Sequence, residues 1–425
     1  MSAIEPDTIA SSRFAPRTYR FVRLARWLFR RLLGRRRMRG RGELLLVEDW
    51  REARRERRSG SGDVHAEIVV HHPRAYAALV FGGSKGLGRS YVDGDWDSPD
   101  LAALTRLLLR ASEPWRASQD WAARRIRLVW SLRFTKRRSK ELDREYAHAH
   151  YDLGNEFFAL MLDETMAYSC AIFADESTSL RDAQIEKFDR ICRKLELGPE
   201  DHVLEIGSGW GGFALHAAAR YGARVTTTTL SSAQHRVLDE RVAAAGLGHL
   251  VRVLEAHYSD LTGTYDAVVS IEMIEALDWR RYDEFFATCS RLLNDQGRMA
   301  LQAITIAEGS YERAKVSTDF IKDLVFPGGC LPSVGAIMRS VARCGDLRPV
   351  DLEDIGAHYP RTLALWREHV REHAAAIDAL GYDDRFDRLW DLYLGYCEGA
   401  FLEHHVSDVQ LVLDKARARA RAVRS

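Results

Sequence analysis

The sequence predicts an α/β protein: a doubly wound, Rossmann-like sheet, preceded by a small N-terminal α+β domain and carrying helical insertions. Three observations lead there. Val203-Leu204-Glu205-Ile206 is a short apolar run, followed by a turn with Gly207, Gly209, Gly211 and Gly212 and then by the helix-compatible run Phe213–Ala219. Strand, glycine turn and helix in that order form the first unit of a nucleotide-binding sheet. Strand-like segments then recur at Ala223–Leu230, Val251–Leu254, Tyr265–Ser270 and Gly297–Thr305, separated by helical stretches. Glu43–Val47 and Ala66–Val70, far upstream, read as strands of a separate, smaller domain.

The chain has 425 residues, enough for two to three domains, and its 46% apolar content supports real cores. The expected division is a basic segment at 1–41, a small domain at 42–118, a helical connector at 119–149 and a catalytic domain at 150–425. Net charge is only +1, so no acidic or basic partner is implied globally. The six cysteines (Cys170, Cys192, Cys289, Cys330, Cys344, Cys397) include no C-x-x-C pair. That speaks against a zinc site and a disulfide framework, and for a reducing cytosol. No metal site is expected. No apolar run approaches the roughly 20 residues needed to span a bilayer.

Residues 20–41 carry ten arginines and no acid. At helical spacing Phe21, Val22, Leu24, Ala25, Leu28, Phe29, Leu32 and Leu33 fall on one side, and Arg20, Arg23, Arg26, Arg30 and Arg31 on the other. Such a helix suits an anionic lipid interface, or it packs on its own domain. A nucleic-acid arm needs no apolar face, so nucleic acid is not expected. The Arg51–Arg58 run with Ser59–Gly62 reads as an exposed loop, and Gly82–Gly88 as turns, since it lacks the G-K-[ST] ending of a phosphate loop. Ser98 is the expected cap of a helix through Leu109.

In the second half, Leu180, Ile185, Phe188, Ile191, Cys192 and Leu195 repeat at helical spacing and should face the sheet. Ser231 should cap the helix after the second strand. An acid commonly ends that strand for ribose hydroxyls; here Thr229-Leu230-Ser231 stands instead, with Gln234 as the candidate replacement. Glu272 and Glu275 follow the fourth strand immediately, and Gln302 and Ile304 end the fifth. Both sets lie at the carboxyl rim, where ligands bind in such sheets. Leu347–Val350 is a candidate further strand, and the tail beyond His358 reads as helix-rich. The apolar segment Thr318–Ser333 lines a hydrophobic channel or belongs to the core. An acid in the strand before a single G-x-G-x-G-G, here Glu205, resembles class I methyltransferases; the dinucleotide fingerprint carries its acid about 20 residues later.

Taken together, His150-Tyr151-Asp152 with Gly154-Asn155, Tyr168-Ser169-Cys170, the Glu205–Gly212 turn, Thr229-Leu230-Ser231 with Gln234, Glu275, and Tyr359 before Arg361-Thr362-Leu363 resemble the cyclopropane-fatty-acyl-phospholipid synthase family. The resemblance covers about residues 42–415. It implies S-adenosylmethionine as cofactor and methyl(ene) transfer to a cis double bond in an acyl chain. Tyr168, Ser169, Glu205, Gly207, Gly209, Gly211, Thr229, Leu230, Gln234, His257 and Tyr258 would surround the cofactor. A bicarbonate ion held by Cys170, Glu275, Gln302, Ile304 and Tyr359 is implied beside the reacting carbons, and Cys397 matches an active-site cysteine of phospholipid-acting members. The small N-terminal domain points to unsaturated membrane phospholipid as substrate, at the inner face of the membrane from the cytoplasm, with homodimerisation a further implication.

Two departures stand out. Ala276 follows Glu275 where members often have histidine, and Gln302 stands where many have histidine; a glutamine donates a hydrogen bond but cannot titrate near neutral pH. The expected product is a cyclopropane chain. The alternative is a mid-chain methylene or methyl branch, completed by a reductase. A small-molecule methyltransferase and a non-catalytic lipid-binding module are the competing classes.

Overall fold

The structure is a computed structural model that describes residues 16–32, 40–50, 55–111 and 154–415. It forms two compact units, one grouping residues 1–121 with Asp384–Gly399 and the other grouping 122–383 with 400–425. The proposed connector at 119–149 and the His150-Tyr151-Asp152 motif lie outside the described residues.

The first unit begins with α1 (Pro16–Leu32) and holds a four-stranded sheet of order β2-β1-β3-β4. β1 (Gly42–Glu48) is central, β3 (His65–Val70) runs parallel to it, and β4 (Trp96–Asp97) pairs with the end of β3. β2 (Arg55–Ser61) occupies the other edge, antiparallel to β1 from Gly42↔Ser61 to Glu48↔Arg55. This corrects the expected loop over Arg55–Ser61; residues 51–54 of that expectation lie outside the described residues. Neither face of Arg-Glu-Arg-Arg-Ser-Gly-Ser is apolar, so periodicity is silent, yet an edge strand tolerates charge and uses it to discourage further pairing.

Gly83–Gly88 is likewise helical rather than turn: only Gly82 separates α2 (Ala75–Phe81) from α3 (Gly83–Val92). A Cβ at Gly86 would sit 2.4 Å from the Ala78 carbonyl oxygen, so the glycine permits the close approach of the two helices. The next helix, α4 (101–111), is capped by Asp100, whose carboxylate accepts from Ala103 N at 2.8 Å; Ser98 instead donates to Glu67 O at 2.7 Å.

α1 is not a separate segment. Ala25 and Phe29 are buried, and the Phe29 ring meets Tyr76 edge-on at 5.4 Å. Arg26 and Arg30 turn inward to Glu48, a carboxylate only 1% exposed, which also accepts from the Tyr76 hydroxyl. Leu24 and Trp27 are left outside, 49% and 52% exposed, with the Arg31 guanidinium 5.1 Å over the Trp27 ring. The helix therefore turns Ala25 and Phe29 of the expected apolar face onto its own domain. The late stretch Asp384–Gly399 joins this unit through Arg388, which donates to Tyr91 O, Trp96 O and Asp97.

The second unit holds a seven-stranded sheet of order β10-β11-β9-β8-β5-β6-β7. It comprises α5 (Asn155–Met161), α6 (Leu180–Leu195), β5 (His202–Ile206), α7 (Gly212–Tyr221), β6 (Arg224–Thr229), α8 (Ser232–Ala244), β7 (Val251–Glu255), β8 (Tyr265–Ile271), α9 (Tyr282–Leu292), β9 (Leu293–Ile306), α10 (Glu308–Ala314), α11 (Val334–Cys344), β10 (Leu347–Asp354), α12 (Tyr359–Glu372), α13 (Ala374–Ala379) and β11 (Val406–Lys415); α14 (Asp384–Leu402) ends in it. β5 to β9 pair in parallel, whereas β11 runs antiparallel to both β9 and β10. Alternation splits the core. Leu204, Ile206, Val268 and Leu301 face Phe285, Phe286 and Ile337, and Val203, Val225, Val269 and Ala300 face Phe188, Ile191, Phe213 and Ala217. β5 lies between β6 and β8, so the winding reverses there and the crevice opens at the carboxyl ends of β5 and β8. This is the class I methyltransferase fold.

Candidate active site

The turn after β5 takes the conformation its glycines allow. Gly209 has φ +51° and Gly211 φ +88°. A Cβ at Gly211 would lie 2.0 Å from Leu238 Cδ1, whereas one at Gly209 would meet no atom within 4 Å. Gly211 is thus required by packing, and Gly209 borders open space where a ligand can approach the backbone. Beside the turn, Asn155 at the start of α5 accepts from Trp210 Nε1 at 2.8 Å, so the Gly154-Asn155 motif positions the tryptophan.

At the end of β6, Ser231 caps α8 by accepting from Gln234 N, and the Thr229 hydroxyl donates to Gln234 Oε1 at 2.9 Å. This leaves Gln234 Nε2 buried without a hydrogen-bond partner. A buried donor fixed at the place of the usual ribose-binding acid, beside a glycine turn with an open side, fits S-adenosylmethionine. At the next strand end, His257 and Tyr258 are buried, with Arg281 3.3 Å from His257 Nε2 and over the Tyr258 ring. Glu205 is turned into the core: it is 2% exposed and accepts from the Thr227 hydroxyl at 2.5 Å, and burial pushes its carboxyl up to about 8. Its contact is with the neighbouring strand, so it braces β5 against β6.

Beyond the turn the second unit gathers a cluster of acids. Glu272, at φ +49°, accepts from Cys170 N at 2.7 Å and from Gln302 Nε2 at 2.9 Å through Oε1, and from the Tyr359 hydroxyl at 2.6 Å through Oε2. Gln302 Nε2 also donates to Asp408 Oδ2 at 2.9 Å, and Gln410 Nε2 donates to Gln302 Oε1 at 3.2 Å. Glu275 accepts from Ile304 N, while its Oε2 is buried and unpartnered. Burial, reinforced by Glu272, pushes the Glu275 and Asp408 carboxyls well above the carboxylate range. Lys187 on α6 is fully buried and donates to Ser169 Oγ at 2.5 Å; burial brings its amine down to about 8.

An aromatic run connects the two features. Trp210 meets Phe158 at 4.7 Å, Phe158 meets Tyr168 at 5.2 Å, Tyr168 meets Trp366 at 5.2 Å, and Trp366 meets Tyr359 at 6.2 Å. Tyr359, tilted against Phe401 at 4.3 Å, then reaches Glu272.

The model of the family described as mycolic acid cyclopropane synthetase matches residues 138–411. The chain belongs to this family. It is 38% identical to the tuberculostearic acid methyltransferase of Mycobacterium tuberculosis over 365 residues, 84% of this chain and 85% of the relative. It is 34% identical to the cyclopropane-fatty-acyl-phospholipid synthase of Escherichia coli, over 84% of this chain and 89% of that one. Among solved structures it resembles a mycolic acid cyclopropane synthase complexed with SAH and CTAB, at TM-score 0.60 and 32% identity, over 64% of this chain and 98% of that one. As a member of the mycolic acid cyclopropane synthetase family, the chain is an S-adenosylmethionine-dependent methyltransferase.

Of the site residues drawn from the sequence, the fold brings Cys170, Glu275, Gln302, Ile304 and Tyr359 to one cluster. Cys170 contributes its backbone: its thiol is fully buried, and burial, then Asp408 and Glu272, push it well above its ordinary value. Cys397 lies in the stretch grouped with the first unit. Five participants were missing from the sequence-derived site. Glu272 lies at the predicted rim, but its role depends on contacts from three distant segments. Asp408 and Gln410 sit on a strand not recognised as one; the signal was two polar residues, two apart, inside an apolar run. Lys187 and Gln184 interrupt the apolar face of α6, and both hold Ser169, at its hydroxyl and its carbonyl.

Proposed function

We propose that the enzyme transfers a methyl group from S-adenosylmethionine to the cis double bond of an unsaturated fatty acyl chain in membrane phospholipid. The aromatic run that leads from the glycine turn to a carboxylate carries this reading. Methylating an alkene needs no protein nucleophile, and the thiol of Cys170 is held protonated. The reaction needs the reacting carbons placed about 3–3.5 Å apart, aromatic faces against the carbocation that follows, and a group that takes a proton. S-adenosylmethionine supplies the methyl as an electrophile. Tyr168, Trp366 and Tyr359 offer the faces, and the acid cluster offers the acceptor.

The proton that departs decides the product. Loss from the new methyl onto the distant cationic carbon closes a cyclopropane. A 1,2-hydride shift that first brings the cation to the methylated carbon lets loss from the same methyl leave a methylene, and loss from a neighbouring chain carbon leaves a shifted alkene, either of which a separate reductase converts to a methyl branch. The branched product is favoured by Gln302 and Ala276, which replace the family's histidines, and by the similarity to the tuberculostearic acid methyltransferase. The cyclopropane reading is supported by the E. coli synthase, similar over the same share of the chain.

Access to phospholipid is assigned to the outer side of α1, where Leu24, Trp27, Arg23 and Arg31 combine apolar surface with positive charge; no helix among the described residues is long and apolar enough to cross a membrane. The test is mass spectrometry of lipids from an expressing host rich in oleoyl phospholipid. A gain of one CH₂ per unsaturated chain supports the reading, and NMR separates vinylidene from cyclopropane protons. Unchanged lipids, with cofactor and substrate verified, overturn it.

A further inference from the structure

The family resemblance calls for a bicarbonate ion within reach of Cys170, Glu275, Gln302, Ile304 and Tyr359. These residues are together, but they do not fit a second anion. Cys170 N, Gln302 Nε2 and the Tyr359 hydroxyl all converge on the carboxylate of Glu272, and Ile304 N is taken by Glu275. Every hydrogen-bond donor expected for the ion thus serves a carboxylate of the chain itself. An added anion would face Glu272 and Glu275 together, and the buried cation nearby, Lys187, is turned to Ser169 Oγ.

The backbone gives a second, independent sign. Glu272 adopts φ +49°, a conformation that favours glycine. A side chain kept there against its local preference, and held by donors from the 170 segment, β9 and α12, has a purpose that outweighs the local strain.

We infer that Glu272 is a built-in replacement for bicarbonate, so that this enzyme works without the ion and uses the Glu272 carboxylate to take the proton released after methyl transfer. The inference rests on the proposed alkene methylation. In that step a C–H bond breaks, its electron pair becomes the new C=C when the carbon is adjacent to the cationic centre or the ring bond when it is the new methyl one carbon removed, and the proton passes to a Glu272 oxygen. Gln302 then has a clear task. Its one amide nitrogen spans Glu272 and Asp408, and its oxygen is held by Gln410, so it orients the base without competing for the proton. Asp408 is buried beside Glu272, and that burial, with the Glu272 charge, pushes its carboxyl well above the carboxylate range.

The test uses the full-length protein and ¹³C-bicarbonate, observed by the carbonyl-carbon linewidth, alongside methyl transfer in CO₂-stripped buffer. The wild type is expected to give no saturable broadening and to lose less than twofold in rate when bicarbonate is removed. Glu272→Gly, with folding confirmed by unchanged SAH affinity, is expected to lose at least 100-fold in rate. Recovery of tenfold or more on adding bicarbonate, with broadening appearing, would support the replacement directly; loss without recovery still supports Glu272 as the base. Saturable bicarbonate binding to the wild type, bicarbonate-dependent wild-type turnover, or near-normal activity of Glu272→Gly in stripped buffer each overturns the inference. The wild-type binding measurement needs neither a variant nor a lipid product, so the inference can fail while lipid methylation stands, and the reverse.

Discussion

Tyr359 donates its hydroxyl to Oε2 of Glu272 at 2.6 Å, joining the first turn of a late helix to the end of the fourth parallel strand. The tyrosine is 4% exposed, and its ring is held independently by Phe401 and Trp366. Tyr359→Phe therefore keeps the packing and removes one hydrogen bond to a charged group, worth about 1.5–3 kcal/mol. Methyl transfer should fall about 10- to 100-fold in kcat/KM while SAH affinity by calorimetry is unchanged. Equal losses in both would mean that the hydroxyl serves only to hold the fold.

The glycine turn separates two effects that one substitution type usually mixes. Gly211→Ala drives a methyl into Leu238 at positive φ and should destabilise the protein by about 1–3 kcal/mol. Gly209→Ala meets no atom and should cost only about 1–2 kcal/mol of local strain. Its methyl would project on the ligand side, so SAH affinity should drop more than stability does. Thermal melts and calorimetry on both variants check the contrast.

Glu205 makes stability depend on pH. Its folded carboxyl keeps a proton up to about 8, whereas the ordinary value is 4.5. Between those limits the folded state binds the extra proton, so this group's contribution to stability falls as pH rises from about 4.5 to 8. Glu205→Gln, which retains a partner for Thr227, should remove that loss. The gap between variant and wild type in urea unfolding should be small at pH 5 and widen by up to about 1.4 kcal/mol per pH unit toward pH 8. A gap independent of pH would refute the assignment.

On α1, neighbouring positions have opposite roles. Leu24→Ala with Trp27→Ala changes exposed side chains and should leave the melting temperature unchanged while weakening binding to anionic vesicles about tenfold or more, from the apolar surface lost. Arg26→Ala should lower the melting temperature, because Glu48 loses a paired charge in a buried setting. Vesicle sedimentation and thermal melts distinguish the two.

Much of the catalytic unit was legible because its strands are short apolar runs broken by glycine turns and amphipathic helices. β5, β6, β7 and β8 lie within a residue or so of their expected positions, and Ser231 caps its helix as read. The misses share a cause. β2 is charged on both faces, and β11 follows a helical tail, so neither announces itself by period; each is a strand because β1 or β9 offers it an edge. α1 was readable as amphipathic, but the partner of its apolar face was not.

The sequence by itself determined the nucleotide-binding turn, the order of the parallel strands and the residue types at their carboxyl rim, since these depend on spacing along the chain. Only the tertiary structure decided what the rim does. Glu272, Gln302, Tyr359 and Asp408 come from four separated segments, and a carboxylate becomes a filled anion site only when donors from all sides converge on it. That convergence depends on packing, which no local pattern records.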